Sequence, residues 1–159
     1  MHPDLLNNPV FLRYYGRWQA DPRSAAFVGV ADFLRQYQLF EDARKVCEEG
    51  LRHNPDLVSG RLVLAHVLAA LEAFDAAGEQ IQWILFRRPD HPGAKRLLAT
   101  LGDKVKQDQV RTPWATVTMA RLYARQGHPD QAEKIYQLIL AREPENSEAK
   151  EGLESLGKA

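Results

Sequence analysis

Residues 77 to 89 read AGEQIQWILFRRP, and 34 positions earlier residues 43 to 55 read ARKVCEEGLRHNP. The two stretches share their opening alanine and closing proline, twelve positions apart. A third stretch, AEKIYQLILAREP at residues 132 to 144, keeps that interval but is displaced from the second by one period plus 21 residues. Working outward from these segments gives units at 24–57, 58–91 and 113–146. Position 7 of the units holds Val30, Leu64 and Met119, and position 8 holds Ala31, Ala65 and Ala120. Position 11 holds Leu34, Leu68 and Tyr123, position 24 holds Cys47, Ile81 and Tyr136, and position 28 holds Leu51, Leu85 and Leu140. Spacings of three and four place these side chains on helical faces. The small residue at position 8 lets two helices approach closely. Each proline lacks an N–H and restricts the residue before it, so Asn54, Arg88 and Glu143 are predicted to end the second helix of each unit.

Composition adds little beyond exclusions. The chain has 159 residues, with 21 Lys and Arg against 21 Asp and Glu, so no global field draws it to nucleic acid, membrane or an acidic substrate. The lone cysteine, Cys47, has no partner within the chain for a disulfide and lies in an apolar helical stretch. The opening Met1-His2-Pro3-Asp4 does not read as a secretory signal. Leu62 to Leu71 is too short to span a bilayer and contains His66, so no membrane insertion is expected and the location is read as cytoplasmic.

A 34-residue period with a small residue at 8, large ones at 7 and 11, Ala at 20 and Pro at 32 resembles the tetratricopeptide repeat. The departures are Phe27, Arg61 and Thr116 at position 4, where the family often has Trp, and Gln38 and Glu72 at position 15, where it often has Gly; Gly127 keeps that glycine. The resemblance implies an all-α fold, an α-α superhelix of stacked antiparallel helix pairs winding as a right-handed solenoid. No single hairpin buries its apolar face alone.

Three segments lie outside the units. Residues 1–23 are predicted to hold a helix starting at Asn8-Pro9, with an aromatic stripe of Phe11, Tyr14, Tyr15 and Trp18, followed by a linker. That stripe either covers the open end of the first repeat or forms a homodimer or partner contact. Residues 92–112 are read as the first helix of an incomplete repeat, carrying Leu97, Leu98 and Leu101, and then a polar loop. The loop is either a degenerated remnant or a functional insertion. Residues 147–159 are predicted to form a capping helix, with Ala149, Leu153 and Leu156 inward and Glu148, Lys150, Glu151 and Glu154 facing away.

The resemblance further implies that first helices line a groove, with positions 2, 5, 6, 9, 12 and 13 facing it. Over residues 24–38, 58–71, 92–101 and 113–126 these helices carry Arg35, Arg61, Lys95, Arg96, Arg121 and Arg125 against Asp32 alone, whereas the second helices and cap are acidic on balance. The inner layer is thus read as basic and suited to an acidic, partly apolar protein or peptide segment. The candidate partner-binding residues are Arg35, Leu62, His66, Arg96, Trp114, Val117, Arg121 and Arg125. Arg61 and Lys95, at packing position 4, can snorkel instead. Members of the family that hold acidic chaperone tails use Lys, Asn and Arg at set positions; here those positions carry Val28, Asp32, Val63, Trp114 and Thr118, so that clamp is absent.

No catalytic constellation is visible. The histidines at 2, 53, 66, 91 and 128 include no i, i+4 pair, and neither a phosphate-cradling loop nor a nucleophile elbow occurs, so no enzyme activity, metal or cofactor is expected. The rival reading is a single-stranded RNA-binding helical repeat. The recurrent proline, the lack of a repeating polar pair at positions 2 and 5, and the neutral charge disfavour it.

Overall fold

The computed structural model describes residues 2–105 and 112–157, which form helices joined by turns, with no strand among the described residues. The helices are α1 (Pro3–Leu6), α2 (Pro9–Ala20), α3 (Phe27–Gln36), α4 (Phe40–His53), α5 (Val58–Ala70), α6 (Phe74–Arg87), α7 (Pro92–Leu101), α8 (Val117–Arg125), α9 (Pro129–Arg142) and α10 (Ser147–Leu156). Two units form, Met1–Arg111 and Thr112–Ala159, called unit 1 and unit 2 below.

The turns within the pairs α3/α4, α5/α6 and α8/α9 are built alike. Leu39 N donates to Leu34 O, Ala73 N to Leu68 O and His128 N to Tyr123 O, each at 2.9 Å. The preceding residue donates to the carbonyl three back: Gln38 to Arg35, Glu72 to Ala69 and Gly127 to Ala124. This pair of hydrogen bonds is a Schellman cap, which requires a left-handed residue. Gln38 (φ 61°), Glu72 (φ 60°) and Gly127 (φ 79°) supply it. The first two do so with a Cβ, at a cost of roughly 1 kcal/mol each against glycine. Gln38→Gly and Glu72→Gly are therefore each expected to raise stability by about 0.5–1 kcal/mol, read as a higher urea midpoint with unchanged slope. A lower midpoint for both would contradict this account of the turns.

The ends of the second helices follow the prolines. Asn54, Arg88 and Glu143 are the C-caps of α4, α6 and α9, and their N–H groups return to Gly50, Ile84 and Ile139. Helix starts depart from the expected frame in two places. The helices expected from residues 24 and 113 begin at Phe27 and Val117, and Thr116 caps α8 by accepting from Met119 N at 3.2 Å. Trp114 consequently precedes α8, half-buried. The short α1, with Leu5 fully buried, was not expected from the sequence. Of the predicted polar loop, residues 106–111 lie outside the described residues.

The core follows the repeat positions. Ala31, Ala65 and Ala120, and likewise Ala43, Ala77 and Ala132, are completely buried. Position 4 is solved differently in each unit. Phe27 is fully buried, and its ring fills a slot left open by Gly50 of α4 and Gly60 of α5; a methyl at Gly60 would sit 2.7 Å from the ring. Where position 4 is Arg61 or Thr116, Ile84 or Ile139 occupies the site equivalent to Gly50 and is buried. Cys47 is buried too, and burial, followed by the charges of Glu48 and Asp32, pushes its thiol up to about 12. It serves as a small hydrophobe.

The N-terminal helix starts as its sequence indicates: Asn8 Oδ1 accepts from Val10 N and Phe11 N. Its aromatic stripe is directed at α3. Phe11 is fully buried, 5.9 Å from Phe33 between ring centroids, and Tyr14 lies 6.5 Å from the same ring. Leu6, Val10 and Leu12 remain exposed on α1 and α2.

Candidate functional site

In unit 1 a concavity of about 530 Å³ opens between α3 and α5. This is within the range of ligand sites. From α3 and the residue pair before it come Ala25, Val28, Gly29, Asp32 and Arg35, and from α5 come Ser59, Leu62, Val63 and His66. These are positions 2, 5, 6, 9 and 12 of one unit and 2, 5, 6 and 9 of the next. The remaining wall is Tyr14 of α2. Its ring lies so close to the α3 backbone that a methyl at Gly29 would be 2.7 Å away. The sequence frame, which stops at residue 24, had no means of placing Tyr14 here.

The walls are apolar at Val28, Leu62 and Val63, with one ion pair. Arg35 contacts Asp32 Oδ1 through Nη2 at 2.8 Å and Nε at 2.9 Å, and Gln36 Nε2 donates to Asp32 Oδ2 at 2.9 Å. The pair cancels, so the concavity carries no net charge while His66 is neutral. His66 is held below the usual histidine range, first by burial and then by the Arg35 charge, with Asp32 opposing. Protonation is thus easier in the unfolded chain. The associated stability is fully present above about 6.5, the ordinary histidine value, and is lost as pH falls below it toward the lowered value. His66→Gln is expected to flatten the fall of the urea midpoint as pH drops below about 6.5. An identical slope in both proteins would show that His66 does not feel this environment.

The structure brings together only part of the expected site. Arg35, Leu62 and His66 share the unit 1 concavity. Arg96 is exposed on α7 and does not line it. In unit 2, Arg121 and Arg125 line a separate concavity, while Trp114 and Val117 do not line it. The basic inner layer is also reduced by pairing. Arg61 turns to α6, stacking 4.1 Å above the Trp83 ring and donating to Gln80 Oε1 at 2.8 Å and Pro55 O at 2.9 Å. A guanidinium over an indole combines apolar contact with cation–π attraction. Lys95 is held by Asp90 at 2.8 Å and Arg121 by Glu148 at 3.1 Å.

Among the described residues no group of His, Cys, Asp or Glu side chains is placed to hold a metal ion. None of the described helices is long and apolar enough to cross a membrane. Residues 113–154 match a family model described as Tetratricopeptide repeat. No curated protein matches the chain.

Proposed function

Because the chain carries a tetratricopeptide repeat, a motif that generally mediates protein–protein interaction, we propose that it is a non-catalytic scaffold that seats a segment of another protein in the α3/α5 concavity of unit 1. On this reading 24–57 and 58–91 are repeats of the same kind as 113–146. The observation that carries the proposal is the register of the lining: nine residues at groove positions of two successive units converge on one concavity. An apolar side chain of the partner packs among Val28, Leu62 and Val63, and a carboxylate reaches the Arg35 edge not turned to Asp32 and the His66 ring. The compensated Arg35 makes the apolar contact the larger contribution, since an exposed ion pair adds only about 0–1 kcal/mol.

The test is affinity selection of random-sequence peptides on the full chain, followed by titration of a selected peptide into Val63→Asp. Placing a carboxylate in the apolar wall is expected to weaken binding about tenfold or more. Val28→Asp on the opposite wall serves as the second variant, with melting temperature confirming that both remain folded. Affinity unchanged in both folded variants would refute the site.

A further inference from the structure

Unit 2 holds a second concavity, of about 380 Å³, between α8 and α10. Its register repeats that of unit 1. Arg121 and Ala124 stand at positions 9 and 12, as Asp32 and Arg35 do, while Glu148, Glu151, Gly152 and Ser155 stand at 2, 5, 6 and 9 of the frame that follows. The chain enters α10 as it enters α5 and α7: Asn146 N donates to Glu143 O, as Leu57 N does to Asn54 O and His91 N to Arg88 O. Glu148 and Glu151 are exposed, as expected, and line this open concavity. Tyr136, nearly fully buried, forms the floor, its ring so close to Gly152 that a methyl there would overlap it.

The chemistry differs from unit 1. The α8 wall is basic, with Arg121 and Arg125, and the α10 wall is acidic, with Glu148 and Glu151. Arg121 and Glu148 neutralise each other. Arg125 and Glu151 form no ion pair with any described residue and are exposed. A ligand of one charge sign is attracted to one wall and repelled by the other. Only a segment offering both signs gains at each wall, and the floor of Ala124, Tyr136 and Leu156 favours an apolar group between them.

We propose that the α8/α10 concavity is a second peptide site, independent of the one in unit 1, and that it takes a protein segment in which an acidic side chain, meeting Arg125, and a basic one, meeting Glu151, flank an apolar residue. The experiment pans a displayed library of random-sequence peptides at low salt against the full chain and against R125Q, E151Q and V63D. The expected result is a class of binders with both charges. R125Q loses the selection for the acid and E151Q the selection for the base, each with about two- to fivefold weaker affinity for a peptide of that class. V63D keeps the class intact, because it alters only unit 1. The proposal is overturned if no such class emerges, if R125Q and E151Q select it unchanged, or if V63D abolishes it. Loss with V63D alone would leave the unit 1 site standing, whereas survival of the class in V63D alongside an unaffected unit 1 peptide would count against the unit 1 site only.

Discussion

Gly50→Ala is expected to destabilise the protein by about 3 kcal/mol, a large fraction of the ~5–15 kcal/mol that holds a domain folded. On helix propensity alone the change should stabilise α4, since glycine in a helix interior costs roughly 0.5–1 kcal/mol against alanine. Packing reverses the sign. The Phe27 ring, completely buried, occupies the space that the new methyl needs, and it is held on its far side by Gly60 and Leu64's helix, α5. The ring has to leave its slot or the α3/α4 pair has to spread. Phe27→Leu in the Gly50→Ala background is expected to recover part of the loss, because the smaller side chain resembles the arrangement in the other units, where an isoleucine fills the second-helix site. Denaturant unfolding of the single and double variants checks both statements. A neutral or stabilising Gly50→Ala would mean that Phe27 is not seated between the two glycines.

Phe11→Ala is expected to cost about 3–5 kcal/mol if α2 stays docked, the usual toll for emptying a fully buried phenylalanine site. Phe11 has no solvent exposure and packs near Tyr15 and Phe33. The loss has a ceiling, since α2 can undock once its docking energy is exceeded. Hydrogen exchange separates the two outcomes: uniform loss of protection across unit 1 reports a cavity, and loss confined to α1 and α2 reports undocking. If α2 undocks, Tyr14 also loses its position over Gly29, so peptide affinity at the unit 1 concavity falls along with stability. Full retention of both would show that the aromatic helix neither supports α3 nor walls the site.

The frame was legible wherever backbone chemistry was written into single residues. Prolines 55, 89 and 144 set the ends of α4, α6 and α9, and the alanines at positions 8 and 20 marked the closest helix contacts. Helix starts were less legible, because the repeat frame placed residues 24 and 113 inside helices; for α8, Thr116 accepting from Met119 N is a local signal that the frame overrode. The amphipathic stripe of Ala149, Leu153 and Leu156 marked α10 and its exposed acids, but not that Glu148 and Glu151 line a concavity with α8.

Charge was the least legible property. Counting six basic residues against one acid leaves out the partners each one finds in the folded chain. In the folded chain Arg35 is spent on Asp32, Lys95 on Asp90 and Arg121 on Glu148, and Arg61 lies over Trp83. Such partners come from neighbouring turns and from other helices, up to 27 residues away for Arg121. A residue count along one helix does not see them. Of the apolar candidates Leu62 lines the unit 1 concavity, whereas Trp114 and Val117 line neither concavity.

The central claim, that the register shared by α3 and α5 creates a peptide-binding surface, is tested most directly by the backbone amide spectrum of the isotope-labelled full chain during titration with a peptide selected on it and weakened by Val63→Asp. The expected result is saturable shifts at Val28, Gly29, Leu62, Val63 and His66, with α4 and α6 unaffected. Shifts confined to α4 and α6, with those five residues silent, would contradict it.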